Sequence, residues 1–517
     1  MPLSACTHSY VPLCQALNRV DTAAHPAFVV GGFVRDSVLG QESRDIDIAV
    51  QGDALAVARE FAQEVNGTFF VLKEQHSMAR VLVPVQSPTH TAESQEIFVT
   101  IDFVGFDTDV ESDLARRDFT INSIAVPCSV IAAHMTEHGV ALPTIARHAI
   151  DPFGGLDDVA AHCIRATSSS VFSDDPGRLL RAVRLTLELG FTMNPETEAL
   201  VSQNAWRVSE AAAERTREEF LKLLALPRAH DGLHYLDRIG LLTAIFPELE
   251  LCRAVEQPMV HFWDVLEHSI QTVATFEYIV GESDWHHGND EMLDYVFDSS
   301  GNHIYFENMV SNEASRLTLT KLACLLHDVA KPATKALQDD GRARFIGHST
   351  EGADVAREIM QRLRFSSNET TYVETLVYNH LRPFQMSSEG LPSSRAVYRF
   401  FRDTKDAGIG TLYLAMADYL ACRGPLFIMS EWHIVCDLTR FIAEEYGRQQ
   451  TITAPSKLVD GNELMRTLGL KPGPSLGVLL ESIREAHAAG AISSKEEALE
   501  LARRTIKEEQ GSERTAK

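Results

Sequence analysis

The chain has no Cys-X-X-Cys pair, no uninterrupted apolar run of the ~18 residues a bilayer span needs, and no surplus of positive charge. Its eight cysteines, at 6, 14, 128, 163, 252, 324, 422 and 436, are scattered, which reads as thiol usage in a reducing compartment. No basic stretch followed by an apolar one opens the sequence, so a cytoplasmic protein without membrane contact is expected. Lys plus Arg number 47 against 72 Asp plus Glu, a net charge of −25. Nucleic acid is therefore not bound through overall charge, and an RNA or DNA partner has to meet a local cationic patch. No repeat of solenoid period is present. What is there is an ordinary globular composition, 45% hydrophobic and 23% charged over 517 residues, enough for about three to four domains.

Short β-branched runs fill the first 130 residues. Ala27–Val30, Asp45–Val50, Phe69–Leu72, Val81–Val85 and Ile97–Val104 have the length of strands. Asp53 is placed to cap a helix carrying Leu55, Ala58, Phe61, Ala62 and Val65 on one stripe, ended by Asn66-Gly67. From about residue 155 the periodicity is helical to the end. The expected fold class is α+β, a mixed N-terminal sheet with helices followed by all-α domains. His286–Asn302 reads as a surface excursion and Glu508–Lys517 as a disordered end.

Val29-Val30-Gly31-Gly32-Phe33-Val34-Arg35-Asp36 is a strand running through two glycines into a helix. Such a turn lets a phosphate approach the backbone at the positive end of a helix, where Arg35 can clamp the same anion. In Asp45-Ile46-Asp47-Ile48, alternation buries the isoleucines and puts both carboxylates on the other face. Two carboxylates on one strand face repel unless a cation sits between them, and such pairs hold the Mg²⁺ ions of in-line phosphoryl transfer. Asp102, on a later strand, is a candidate third carboxylate. Asp174-Asp175-Pro176 reads as a helix start, acid at the N-cap and proline in the first turn. Beyond it Arg178, Arg181 and Arg184 recur every third residue along one drifting face.

Later, an apolar helix ends in His327-Asp328, with His268 upstream and His348, His380 and Asp418 downstream. Imidazole and carboxylate ligands suit a divalent metal, Mn²⁺, Mg²⁺, Ni²⁺ or Fe²⁺, with bound water as nucleophile. The order H…HD…H…H…D resembles the HD phosphohydrolase domain.

Gly31-Gly32-Phe33-Val34-Arg35-Asp36 with Asp45-Ile46-Asp47, then Arg116-Arg117-Asp118-Phe119-Thr120-Ile121-Asn122, then Asp174 to Arg184, resemble in order the motifs of the bacterial-type (class II) tRNA nucleotidyltransferase and poly(A) polymerase family. The match runs from about Phe28 to Leu224 and more loosely beyond. It implies a nucleotidyltransferase head (1–155), a helical nucleotide-recognition and RNA-binding neck (156–250), an HD domain (251–440) and a helical tail (441–517). It implies Mg²⁺ on Asp45 and Asp47, and triphosphate on Gly31, Gly32, Arg35 and Arg117. Asp175 and Arg178 would read the base, Arg181 and Arg184 would lie near it or the triphosphate, and Asp118, Thr120 and Asn122 would brace the site. The implied activity is template-independent addition of C and A from CTP and ATP to the 3′ end of tRNA, with phosphohydrolase chemistry in the HD domain. Asp174 departs from the family's more frequent Glu, and Gln75–Arg80 takes the place of the loop that full CCA-adding members need for the last adenosine. Alternatives are a poly(A) polymerase, an enzyme adding only CC or only A, and an HD phosphohydrolase with a vestigial transferase half.

Overall fold

The computed structural model describes residues 11–515 apart from 23–24, 75–76, 86–96, 137–138, 141, 259, 298–301, 340–341, 388–389 and 454–457. The chain forms two compact units, Met1–Ala212 with Ile239–Leu241, and Ala213–Arg238 with Leu242–Lys517. Among the described residues no helix is long and apolar enough to cross a membrane.

The first unit runs α1 (Val11–Val20), β1 (Ala27–Val30), α2 (Gly32–Leu39), β2 (Asp45–Gln51), α3 (Ala54–Glu64), β3 (Thr68–Lys73), β4 (Met78–Val85), β5 (Ile97–Phe106), α4 (Val110–Leu114) and β6 (Ala125–Pro127). The six strands form one mixed sheet in the order β3-β4-β5-β2-β1-β6, with β2 parallel to β5 and the other neighbours antiparallel. The expected strands all form, and Asp53 caps α3 by accepting from the N–H groups of Leu55 and Ala56.

One sheet face carries Val29, Ile46, Ile48, Val81, Ile101 and Phe103, all buried, with Phe61 of α3 edge-on to Phe103 at 5.2 Å. Burying each such side chain stabilises the fold by ~1.5–3 kcal/mol. The opposite face is covered at one end only, where Val30, Ala49, Phe106, Val110, Leu114 and Ala125 cluster. Its other end carries Asp45, Asp47 and Asp102.

Asp174-Asp175-Pro176 does not open a helix, contrary to the sequence reading. A short helix, Val171–Asp174, ends there, and the next, Arg178–Leu189, starts after Gly177. Asp175 is extended (φ −149°, ψ 96°), as the residue before proline prefers, and its carboxylate accepts from the Gly177 N–H at 3.0 Å.

The second unit is helical, built on Val265–Ile279, Arg316–Leu326, His348–Arg362, Ser367–Asn379 and Gly408–Arg423. Glu277 and Lys321, both fully buried, pair at 2.8 Å. Glu277 also accepts from the Ala229 N–H (2.7 Å) and lies 2.6 Å from His230 Nδ1, while Lys321 donates to the Leu226 carbonyl (2.9 Å), so no buried charge lacks a partner here. Val459, Leu464, Leu479 and Ile483 belong to a separate small core near the C-terminus.

Three expectations for this region need correction. An antiparallel hairpin, Lys335–Leu337 with Ala343–Phe345, interrupts the all-α pattern. The stretch His286–Asn302, of which 298–301 lie outside the described residues, is anchored to the core rather than wholly a surface excursion: Met292 and Phe297 are buried, and the Met292 carbonyl accepts from Trp432 Nε1. Of Glu508–Lys517, expected to be disordered, residues 508–515 continue the helix Lys495–Thr515, and 516–517 lie outside the described residues.

Candidate active sites

In the first unit the strand-to-helix bend falls on Gly31, at φ +75°. A Cβ there would lie 2.9 Å from Asp47 Oδ2 and 3.1 Å from Arg117 Nη1, so the glycine is what lets carboxylate and guanidinium come together. No side chain caps α2 at Gly31, which leaves its first N–H groups without a side-chain acceptor. Arg117 is aimed by Asp113, which accepts from Nε (3.2 Å) and Nη2 (3.1 Å).

Asp45 is exposed and Asp47 half-buried, two residues apart on the face away from buried Ile46 and Ile48. Asp47 pairs in register with Asp102 on β5. Burial raises the Asp47 carboxyl above the ordinary carboxylate range; Arg117 opposes the rise and the negative charges of Asp102 and Asp45 add to it. Asp45 and Asp47 on one face of β2, with Asp102 in register beside Asp47 on β5, suit a hard divalent cation, whose charge offsets theirs. Asp102 itself is engaged: Arg80 donates to both its oxygens, at 2.8 and 2.7 Å.

Asp118 and Asn122 form the buried brace beneath this site. Asp118 accepts from the Phe119 N–H (2.8 Å), Asn122 Nδ2 (3.1 Å) and Arg181 Nε (2.6 Å). Burial would raise its carboxyl, but Arg181 and these hydrogen bonds hold it below the usual value. Thr120 donates to Asp158, which is held in turn by Arg165. Asp175 and Arg178 face each other at 3.6 Å, and Arg178 is fixed by the Arg116 carbonyl at 2.8 Å.

Two arginines on the sequence-derived list are interior. Arg35, 9% exposed, donates to Asp36 and to Asn122 Oδ1 (2.8 Å), and Arg184, 7% exposed, pairs with Glu188. Gly32 lies against the Arg35 guanidinium. Of the Gln75–Arg80 loop, Gln75 and His76 lie outside the described residues.

In the second unit His268, His327, Asp328 and Asp418 bring ligand atoms within 4.8 Å of one another, and so do Asp328, His348 and His380. All six expected residues thus meet, with Asp328 shared. His268 Nε2 lies 3.2 Å from Asp328 Oδ2 and 3.1 Å from Asp418 Oδ1, and His348 Nε2 lies 3.4 Å from Asp328 Oδ1. Helix ends aim the rings: Nδ1 of His327, His348 and His380 lie 2.8, 2.6 and 2.7 Å from the carbonyls of Cys324, Phe345 and Val377, which turns each Nε2 inward. Burial would lower the His327 imidazole, but Asp328 and Asp418 carry it up to about 10, whereas burial and His327 push His380 down to about 4. This donor set fits one or two divalent metals. A cavity of about 320 Å³ opens onto it, lined also by His261, Lys331 and Phe345.

Arg80, Asp113, His261 and Lys331 were absent from the sequence-derived list. Asp113 was findable, four residues before Arg117 at helical spacing, and Lys331 three residues after Asp328. Arg80 and His261 depend on pairings that only the folded chain brings about.

A mixed sheet bearing paired aspartates beside a glycine bend defines a nucleotidyltransferase. Residues 27–165 match the Poly A polymerase head domain, 190–252 the probable RNA and SrmB-binding site of polymerase A, and 265–422 the HD domain. The A-adding tRNA nucleotidyltransferase of Deinococcus radiodurans is 31% identical over 493 residues, covering 94% of this chain and 97% of that protein. The CC-adding tRNA nucleotidyltransferase of Thermus thermophilus is 30% identical over 480 residues, covering 91% and 92%. The chain belongs to the tRNA nucleotidyltransferase and poly(A) polymerase family. A solved CCA-adding enzyme in complex with ATP has the same fold, with a TM-score of 0.60 at 21% identity over 96% of this chain and 95% of that one.

Proposed function

We propose that this protein extends the 3′ end of tRNA with C and A from CTP and ATP, without a nucleic-acid template. The observation that carries the reading is the meeting of Asp47 with Arg117 at the Gly31 bend, with Asp45 two residues before Asp47 on the same face of β2. Asp45 and Asp47 would hold Mg²⁺, which when bound would supply activation of the 3′-hydroxyl and stabilisation of the leaving pyrophosphate. Arg117 and the N–H groups opening α2 bind the triphosphate. Arg35 contributes by fixing Asn122, and through it Asp118, rather than by touching the anion.

Asp175 and Arg178 select the base. Cytosine and adenine each present an amino donor beside a ring-nitrogen acceptor, which suits a carboxylate next to a guanidinium. Uracil and guanine reverse that order and leave polar groups unpaired. Arg181 orients Asp118, and Arg184 supports the helix from inside. The head, neck, HD and tail boundaries at 155, 250 and 440 divide the work along the chain. The six-ligand cluster of the second unit would make it a metal-dependent phosphohydrolase, with Lys331 beside Asp328 available to a substrate phosphate.

The names of the two near-full-length relatives favour a second reading, in which the chain performs one step only, CC or A addition. One experiment separates them: tRNA lacking CCA and tRNA ending in CC, each with labelled CTP alone, ATP alone or both. Three nucleotides added to the first substrate support full CCA addition, and growth that stops at CC or needs a CC end supports the second reading. No incorporation, or long A tails, would overturn both.

A further inference from the structure

On the sheet face that carries the carboxylates, away from the Val30–Phe106 cluster, Asp45 and Thr68 are exposed and Arg80 and Leu82 partly so among the described residues. Across it, register pairing sets Phe70 (β3), Arg80 (β4), Asp102 (β5) and Asp47 (β2) in a single row. Residues directly opposite share a face, and the Arg80 to Asp102 hydrogen bonds fix the middle of the row on that side. Thr68, Leu82, Thr100 and Asp45 form the next row. β3 is an edge strand on which Phe70 (45%), Val71 (49%) and Leu72 (42%) are all exposed, and of these Phe70 is the aromatic ring in the carboxylate row.

An exposed phenyl ring aligned with a catalytic row has a chemical use. Sheets that bind single-stranded RNA stack unpaired bases on such rings, which adds affinity that does not depend on overall charge. Three strand spacings of ~4.8 Å put Phe70 ~14 Å from Asp47.

We propose that Phe70 is the stacking platform for an unpaired base just upstream of the growing 3′-hydroxyl, guiding the acceptor strand toward Asp45 and Asp47. This rests on the transferase reading. RNA is the occupant because the row is continuous with the carboxylates that receive the hydroxyl, while Arg80 is committed to Asp102.

The test compares wild type with Phe70→Ala and Phe70→Trp on tRNA lacking its last nucleotide, with 2-aminopurine at an unpaired position of the 3′ end. In Phe70→Ala the KM for tRNA should rise about tenfold. The KM for nucleotide and kcat should stay near wild type, and stacking-dependent quenching of the probe on binding should be lost. Phe70→Trp should restore both. An unchanged KM for tRNA in Phe70→Ala, or quenching that persists, would overturn the assignment. Unaltered thermal unfolding of the variants excludes a folding defect, and a wild-type protein that extends no tRNA at all would instead overturn the transferase reading on which the assignment stands.

Discussion

Asp47 and Asp102 are register partners on adjacent parallel strands, yet Arg80 holds both oxygens of Asp102. Asp102 is thus compensated from within the protein, and Asp45 and Asp47 are left to face a cation.

Removing that compensation should shift the pH dependence of nucleotide addition. In Arg80→Ala the uncompensated Asp102 charge disfavours ionisation of Asp47, whose carboxyl burial already raises. The acid limb of the rate profile should move to higher pH. A limb at wild-type pH would mean that Asp102 does not influence Asp47.

Asp47→Asn should lower nucleotide addition ~10³-fold or more, since charge neutralisation in phosphoryl transfer is worth several kcal/mol. The same change should raise the melting temperature of the metal-free protein slightly. The sign follows from linkage: a raised carboxyl pKa means the folded state favours the protonated form, so ionisation at neutral pH costs stability that asparagine does not incur. Activity assays and calorimetry on one preparation check both halves.

Base choice should relax when its acceptor is removed. Asp175→Ala is expected to reduce discrimination between CTP and UTP by ~10- to 100-fold, the value of one bidentate base contact, while the KM for tRNA stays near wild type. Competition assays with paired nucleotides read the ratio directly.

Asp328 is common to both ligand groups of the second unit. Asp328→Asn should weaken divalent-metal binding there ~100-fold or more, measured by atomic emission after dialysis, and abolish phosphohydrolase activity. Nucleotide addition should persist, because its carboxylates belong to the other unit. Loss of addition in that variant would refute the division of chemistry.

The Glu277 and Lys321 pair predicts acid lability. Burial works against the Glu277 charge, but His230 and Lys321 hold its carboxyl below the ordinary 4.5. This contribution to stability is fully present above that value and is lost as pH falls through the lower folded value. Glu277→Gln should flatten the acid limb of a stability profile and cost ~3–5 kcal/mol near neutrality by leaving Lys321 uncompensated.

Local signals made much of the head legible. β-branched runs, the Asp53 cap and the alternation around Asp45 and Asp47 depend on a few neighbouring residues, and they predicted those elements closely. The six metal-ligand candidates were recoverable through the order H…HD…H…H…D and its resemblance to the HD domain. Features set by distant pairing were not. Arg35 and Arg184 were expected at the nucleotide, and only folding supplies Asn122 and Glu188 at the right places to take them inside. Pro176 suggested a helix start, but Asp175 engages its carboxylate within the turn and delays the helix to Arg178. The hairpin after Lys331 is three residues per strand, too short for a periodic signature.

The bend at Gly31 leaves this head no gradual path to weaker catalysis. The smallest possible addition, one methyl group, would both strain the backbone and intrude between Asp47 and Arg117, so cation grip and anion grip would fail in the same step. Tuning of turnover in this lineage has to come from outlying positions, because the centre offers no intermediate size to explore.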